Sequence, residues 1–488
     1  MNLTENGDVA YTTTGNYNLD LFTRITRNAT KEDVIETWCK AWEENTSTAL
    51  QILMHMRDPR KGKQEKFIPI QILSFLKSAI PEECFQLILK SILPYGCWKD
   101  VLKIYTMVPH GTIELKLMAE QLKIDIRALN ESSTSAISLA AKWAPSEQSQ
   151  YHDAFKILKK ELKLSSKEYR LQLTRLRAHL NILEMFMATH QYDKIDFSKI
   201  PASALKKMSS AFKRDTNASG VYSDDRKQLN LSYNDFMRKV SQGKATIKVA
   251  GIQPHELIVN YMNGYPFDQL IEEQWKAITL KVLNKGAFNK VTAIVDVSGS
   301  MEGQPMQVAI ALGIMVADCT TGPFKGQIIT FHSSPSWHKL TGETLRDKVL
   351  CLKRAPWGGN TNLRATFNLI LNEAIRYQLS PEQMIDTLFV FTDMQFDAAF
   401  ADSSTFNDIK SSYHRAGYTM PKMIFWNLRT SSTKSLPVLK DENNVVLLSG
   451  FSAELLNCIM DAQEISPLAM MKQILKPYPI LNIDCPLL

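Results

Sequence analysis

The chain has 488 residues, of which 44% are hydrophobic and 22% are charged, and its formal net charge is +7. These values are ordinary for a soluble globular protein and predict more than one domain, each with a sizeable core. The chain lacks the run of about 18 apolar residues that a transmembrane helix needs, and its polar start, Met1 to Asp20, lacks the features of a secretory signal.

The seven cysteines are scattered, odd in number and never spaced as CxxC. This argues against a zinc ribbon, a thioredoxin-type motif and a secreted disulfide framework. We therefore predict reduced cysteines in a cytoplasmic, monomeric protein that does not bind a membrane.

From about Leu21 to Gln274 the pattern is helical, with short apolar segments separated by breakers such as Pro81 and Pro94-Tyr95-Gly96. Between Tyr169 and His190, leucines recur at helical spacing. No fixed repeat is present, but the pattern is that of helices stacked in pairs. We predict a polar N-terminal tail at 1–20 and an all-α, HEAT-like solenoid at 21–285.

The positive charge is concentrated in this helical part. Residues 151–250 hold 20 Lys and Arg against 10 Asp and Glu, whereas residues 291–488 hold 16 against 18. A regional surplus of this kind indicates either a polyanion-binding surface or a solvated helical surface that happens to be basic. Within it, Thr216 to Gly220 and the charged stretch Asp224-Asp225-Arg226-Lys227 predict an exposed loop before further helix.

The pattern changes near Lys290, where buried-type strands begin to alternate with helices. Strands are predicted at 291–295, 327–331, 387–391, 422–426 and 445–448, and helices at 305–318, 361–377, 402–416 and from Ala453. This order predicts an α/β, Rossmann-like domain at 286–488 with a doubly wound, mainly parallel sheet. Such sheets bind ligands outside the carboxyl ends of their strands.

Three segments near those strand ends carry oxygen ligands. Asp296-Val297-Ser298-Gly299-Ser300 follows the first strand, Thr392-Asp393 follows another, and Trp357 to Thr361 opens a helix between them. Ser298 and Ser300 alternate, so both hydroxyls can point to one side of a turn that Gly299 allows to bend. Carboxylates and hydroxyls in small number suit Mg²⁺, or Mn²⁺ or Ca²⁺, and leave a coordination position for an oxygen from a partner.

Asp296, Ser298, Ser300, Thr361 and Asp393 together resemble the metal-ion-dependent adhesion site (MIDAS) of von Willebrand factor A domains. The alternative is a serine-rich turn with capping residues and no metal. An aspartyl-phosphate phosphatase would need a carboxylate where Ser298 stands, and neither a GxxxxGK[ST] loop, a GxSxG elbow nor an HExxH helix occurs. A metal-dependent hydrolase would need a base or nucleophile beside the metal, so we predict that the protein is not an enzyme.

Three helical motifs add a second resemblance. Arg57 to Glu65 (RDPRKGKQE), Leu93 to Asp100 (LPYGCWKD) and Ala141 to Ser146 (AKWAPS) resemble signatures of the TROVE module of Ro ribonucleoproteins, although Gly62 to Lys66 departs from the family's GKGER. The chain is most similar to a related uncharacterised family found in plants and large DNA viruses. The resemblance implies a ring of HEAT-like helices combined with a von Willebrand A domain, and a ribonucleoprotein that binds misfolded RNA ends and structured small RNAs.

Basic side chains are the candidate RNA contacts, because Lys and Arg bind phosphate without reading sequence. His179 could stack on a base. The first cluster is Arg57, Arg60, Lys61 and Lys63, and the second is Arg170, Arg175, Arg177, Lys206, Lys207, Lys213 and Arg214.

Two functions follow as hypotheses. The first is a non-enzymatic RNA-binding scaffold whose metal site recruits a protein partner through a carboxylate. The second is a protein–protein interaction module that acts through the metal site and never meets nucleic acid.

Overall fold

A computed structural model describes residues 2–3, 9–131, 136–216, 219–286, 288–331, 335–355, 362–395, 403–431, 433–459, 465–483 and 485. The chain divides into two compact units. The sheet unit comprises Met1–Met56, Arg60–Glu65 and Val249–Leu481. The helical unit comprises Arg57–Pro59, Lys66–Lys248 and Asn482–Leu488.

The described helices follow one another in chain order through both units, and none of them is long and apolar enough to cross a membrane. Their bounds are α1 Tyr17–Arg24, α2 Lys31–Glu44, α3 Thr46–Arg57, α4 Ile68–Ala79, α5 Glu82–Ile92, α6 Trp98–Met107, α7 Ile113–Asn130, α8 Ala140–Trp143, α9 His152–Glu161, α10 Ser166–His179, α11 Leu183–Ala188, α12 Ala202–Phe212, α13 Asp224–Ser241, α14 Pro254–Met262, α15 Gln269–Leu283, α16 Gln304–Cys319, α17 Leu345–Lys353, α18 Leu363–Arg376, α19 Ser403–Arg415, α20 Glu454–Ile459 and α21 Pro467–Leu475.

The helical unit contains a buried apolar core. Leu122, Phe155 and Tyr169, from α7, α9 and α10, lie in one buried cluster. Helix α10 begins with a capping box, because the Ser165 hydroxyl accepts a hydrogen bond from the Glu168 amide at 3.2 Å and the Glu168 carboxylate accepts one from the Ser165 amide at 2.7 Å.

The described strands are β1 Asn2–Leu3, β2 Val9–Ala10, β3 Phe288–Asn289, β4 Val291–Asp296, β5 Thr320–Thr321, β6 Gln327–Phe331, β7 Ser336–Lys339, β8 Thr387–Thr392, β9 Lys422–Asn427 and β10 Val445–Ser449. Six of them form the main sheet in the order β10-β9-β8-β4-β6-β7. Every pairing in it is parallel except β6 with β7. The predicted α/β class with a mainly parallel sheet is therefore confirmed.

Helix α16 follows β4 and packs directly on it. A Cβ added at Gly313 would lie 2.4 Å from Val295 Cγ2, so only glycine allows this approach of helix to strand. This packing fixes α16 and, with it, the turn that joins β4 to α16.

The structure differs from the sequence-based predictions in several places. The edge strand β7 and helix α17 were not predicted. Asp224 and Asp225 were predicted to lie in a loop, but they form the first turn of α13, where acidic side chains favour the positive end of the helix. The helix predicted across Tyr169 to His190 ends at His179, and Asn181 has a positive φ of 50°.

The two units also do not coincide with the predicted boundaries at 20/21 and 285/286. Helices α1, α2, α14 and α15 belong to the sheet unit, although their sequence is helical like that of the helical unit. Asn18, Leu19 and Asp20, assigned to a polar tail, are buried. Hydrophobic periodicity identifies a helix but does not indicate which core the helix joins.

Lys63 is buried within the sheet unit, where it links two elements. Its side chain is 1% exposed, and its ammonium donates to the Phe22 carbonyl and, at 2.7 Å, to the Ser449 hydroxyl. The same Ser449 hydroxyl donates to the Phe22 carbonyl at 2.7 Å. The end of α1 is thereby joined to the end of β10. The prediction that Lys63 contacts RNA does not fit this position, because a phosphate cannot reach a buried ammonium.

We expect this lysine to make stability depend on pH. Burial lowers the pKa of Lys63 from 10.5 to about 7, so between these values the unfolded chain binds a proton that the folded chain does not, and stability rises with pH. From pH 7 to pH 9, the free energy of unfolding should increase by about 1–3 kcal/mol more in the wild type than in Lys63→Met. Denaturant unfolding at both pH values measures this difference.

Lys61→Met is the matched control, because Lys61 is exposed and two residues away. It should keep the pH dependence of the wild type. Identical pH dependence in Lys63→Met and the wild type would contradict the assignment.

Candidate metal and ligand site

The predicted acidic residues meet at one point of the sheet. Strand β4 lies between β6 and β8, so the chain leaves β4 toward one side of the sheet and later returns on the other. Asp296 ends β4, and Asp393 immediately follows β8, its parallel neighbour. The carboxyl ends of strands at such a switch point border the crevice in which doubly wound sheets bind ligands.

Asp296 is fully buried and held at both carboxylate oxygens. The Thr392 hydroxyl donates to Oδ2 at 2.7 Å, and the Ser298 amide donates to Oδ1 at 2.9 Å. The Thr392 hydroxyl in turn accepts from the Met394 amide at 3.2 Å. These bonds fix the orientation of the carboxylate.

The two serines of the turn also come together. Ser298 and Ser300 lie at the start of a short 3-10 turn, with their hydroxyl oxygens 3.1 Å apart. Both hydroxyls therefore face the same side, as predicted. Thr361 and the preceding 357–360 lie outside the described residues.

Asp393 is 1% exposed and accepts a hydrogen bond at Oδ1 from the Gln395 amide at 3.2 Å. Near its Oδ2, at 3.7 Å, lies Nη1 of Arg429, which also donates to the Ser300 carbonyl at 2.7 Å. Arg429 follows the end of β9 by two residues, at the same edge of the sheet. Arg429 was not among the predicted site residues, although its place just after a predicted strand was a signal.

The electrostatics of this site favour a cation. Burial and the neighbouring Asp393 carboxylate raise the pKa of Asp296 to about 7, against the opposing hydrogen bonds from Ser298 and Thr392. Two buried carboxylates are costly without positive charge nearby.

The donor set fits Mg²⁺ or a similar hard cation. Asp296, Ser298, Ser300 and Asp393 supply carboxylate and hydroxyl oxygens, which such cations prefer. In the described part of the chain, no three His, Cys, Asp or Glu side chains are grouped to hold a metal. A metal at this candidate site would be held by hydroxyl oxygens as well as carboxylates.

The first predicted RNA cluster is divided by burial. Arg60 and Lys61 are exposed. Arg57 is 7% exposed and binds Asp100 through two hydrogen bonds of 2.8 and 3.2 Å. A Cβ added at Gly96 would lie 2.6 Å from Asp100 Oδ2. The RDPRKGKQE and LPYGCWKD motifs thus meet in a buried ion pair, which removes Arg57 from the candidate RNA contacts.

The second cluster is mostly at the surface. Its exposed members are Arg170, Arg175, His179, Lys207, Lys213 and Arg214, whereas Lys206 is partly buried. Arg177 is also partly buried and donates to the carbonyls of Ala141 and Ala144 at 2.8 and 2.7 Å. Its guanidinium therefore holds the AKWAPS segment in place.

Comparisons with known proteins identify two matching families. Residues 4–118 and 158–288 match a domain of unknown function, DUF2828, and residues 290–474 match a second, DUF7788. The chain is 49% identical over 505 residues to "Uncharacterized protein L728" of Acanthamoeba polyphaga mimivirus. That similarity covers 99% of this chain and 88% of the viral protein.

We expect Mg²⁺ to stabilise the wild type and not Asp296→Asn. At a concentration one hundredfold above its Kd, a bound ion adds about 2.7 kcal/mol, which raises the Tm by several degrees. The substitution removes one negative charge, so the metal-free variant should melt at or above the wild-type temperature. The side-chain oxygen of the introduced asparagine can still accept a hydrogen bond from the Ser298 backbone amide. The Thr392 hydroxyl can rotate so that it accepts a hydrogen bond from the asparagine NH₂ group. Differential scanning calorimetry with EDTA and with Mg²⁺ measures both effects.

Asp441→Asn is the matched control, since Asp441 is an exposed acid of the same unit. It should respond to Mg²⁺ like the wild type. An equal Mg²⁺ response in Asp296→Asn would place any bound ion elsewhere.

Proposed function

The chain belongs to the DUF2828 family, and from its own geometry we propose that it is a non-enzymatic, divalent-cation-dependent binding protein. In this proposal the sheet unit carries a von Willebrand factor A-type domain. Asp296, Ser298, Ser300, Thr361 and Asp393 hold Mg²⁺ or a similar ion. The observation that carries the proposal is the meeting of two buried carboxylates and two hydroxyls at the switch point of the sheet.

The sheet topology supports the A-type assignment. Numbered along the chain within the main sheet, its strands lie in the order 3-2-1-4-5-6, the doubly wound order, with one antiparallel strand at the edge. The serine turn connects strand 1 to its helix, and Asp393 follows strand 4. These positions support the resemblance to a MIDAS.

The chain's own residues would orient the ligand site. Thr392 and the Ser298 amide hold the Asp296 carboxylate, and the short turn holds the two serine hydroxyls side by side. When bound, the cation would offer a coordination position to a carboxylate oxygen of a protein partner. Such a site would bind its ligand without a chemical reaction.

The contacts of Ser298 support binding rather than hydrolysis. In the described part of the chain, its hydroxyl shares a hydrogen bond with the Ser300 hydroxyl. A hydroxyl is too weak a base to activate a serine nucleophile, which needs a partner such as histidine or a lysine amine. The serines therefore fit the role of ligands.

RNA binding by the helical unit is the second candidate function. It rests on the exposed cations of α10 and of α12 with the residues that follow it, and on the TROVE-like motifs. Arg170, Arg175 and Lys207 are exposed on these helices. Exposed guanidinium and ammonium groups supply sequence-independent affinity for phosphate.

We expect the triple variant Arg170→Gln, Arg175→Gln and Lys207→Gln to bind single-stranded RNA at least several-fold more weakly than the wild type. Each lost phosphate contact lowers the slope of log K against log[salt] by about 0.7, so the slope should fall by about 2. A filter-binding titration at several salt concentrations measures both quantities.

Two controls accompany this titration. Lys325→Gln, Lys472→Gln and Lys476→Gln remove the same charge from exposed positions of the sheet unit and should leave RNA binding intact. Asp296→Ala should also leave RNA binding intact, because the candidate metal site and the basic helices belong to different units of the chain. Wild-type binding without salt dependence would contradict an RNA function and leave the metal-dependent interaction module.

A further inference from the structure

Arg429 occupies a place at the metal site that the proposed function does not explain. Its Nη1 donates to the Ser300 carbonyl at 2.7 Å and lies 3.7 Å from Asp393 Oδ2. One guanidinium thus contacts both halves of the candidate site, the serine turn after β4 and the acidic end of β8.

The backbone around Arg429 is fixed on both sides. The Leu428 amide donates to the Thr392 carbonyl at 2.9 Å, and the Arg429 amide donates to the Asn427 side chain at 3.0 Å. Thr430 donates from its amide to the Thr26 hydroxyl at 2.7 Å. Arg429 therefore extends toward the site from a well-anchored loop.

The charges of the neighbouring carboxylates explain the position of Arg429. Asp296 and Asp393 are buried, and two buried carboxylates attract a positive charge. The Arg429 side chain is 35% exposed, so it can move into solvent without leaving its own charge buried. A group that is both close to the acids and able to leave them can compete with an added cation.

We propose that Arg429 is the built-in counter-ion of the acidic pair, and that its guanidinium withdraws from Asp393 when a divalent cation is held there. The inference rests on the proposed function. Arg429 stabilises the metal-free protein, and by linkage the same interaction weakens the binding of the cation. The residue sets the metal affinity of the site without being a ligand.

A purely structural role predicts a different result. If Arg429 served only to tie the loop to the Ser300 carbonyl, its replacement would lower stability and leave cation affinity unchanged or reduced. Glutamine separates the two roles, because it removes the charge but keeps a polar side chain at this position.

The test is Mn²⁺ binding to the full chain, measured by titration calorimetry and by the electron paramagnetic resonance signal of free Mn²⁺. Arg429→Gln should bind Mn²⁺ about tenfold or more tightly than the wild type, since one competing charge is removed. Its metal-free Tm should fall, and its Tm increase on adding Mn²⁺ should exceed that of the wild type. Asp296→Ala is the control and should lose Mn²⁺ binding.

Arg429→Lys keeps the test valid should Arg429→Gln fail to fold. Lysine keeps the charge but replaces the guanidinium, whose Nη1 contacts Ser300 and lies near Asp393, by a compact ammonium on a shorter side chain. The affinity of this variant for Mn²⁺ should therefore rise by a few-fold. Equal or weaker binding in the folded position-429 variants, with wild-type binding abolished by Asp296→Ala, would overturn the inference and leave the proposed function standing. No binding by the wild type and none by the position-429 variants would overturn both.

Discussion

The burial of Lys63 is the interaction on which the geometry of the site depends. Its ammonium and the Ser449 hydroxyl both donate to the Phe22 carbonyl, so helix α1 is fixed against the end of β10. A Cβ added at Gly450 would lie 3.1 Å from Lys63 Cγ, which shows how closely the strand end packs on this side chain. The end of α1 then accepts a hydrogen bond from the last residue of β9, which precedes the loop that carries Arg429: the Asn427 side chain donates to the Thr23 carbonyl at 3.0 Å. Lys63 thus helps to position Arg429, although the two residues are far apart in the sequence.

The two carboxylates at the sheet edge have different neighbours. Asp296 is held by neutral donors, whereas Asp393 lies near a cationic side chain. Neutral donors orient a carboxylate but leave most of its charge uncompensated. The negative charge of the two carboxylates therefore remains only partly compensated in the presence of Arg429, which supports the proposed competition between its guanidinium and a divalent cation.

Much of the sheet could be predicted from the sequence because its signals are local. Buried strands appear as short apolar runs, and the five predicted strands match β4, β6, β8, β9 and β10 to within one residue at each end. Parallel strands place their carboxyl ends at one edge, so the meeting of Asp296 with Asp393 followed from the pattern. The edge strand β7 has the sequence SWHK and lacks such a run.

Lys63 was misassigned because its partners, Phe22 and Ser449, are distant in sequence. Nothing near a lysine in the sequence distinguishes one that is buried from one that is solvated. Arg429 was missed although it lies just after a predicted strand, because its partners, Ser300 and Asp393, are distant from it in sequence.

The division of the chain has a consequence for its synthesis. Residues 66–248 form most of the helical unit and interrupt the sequence of the sheet unit. The interrupting segment emerges from the ribosome before residues 249–481 of the sheet unit are made. Lys63 is synthesised early, and its partner Ser449 lies 386 residues further along the chain. Synthesis of the intervening residues takes roughly 20–80 s at ordinary elongation rates. During that interval Leu19, Leu21 and Phe22, fully buried in the finished protein, have no strand to cover them. The apolar side chains of α1 therefore remain without their contacts to β10 for most of the synthesis of the chain.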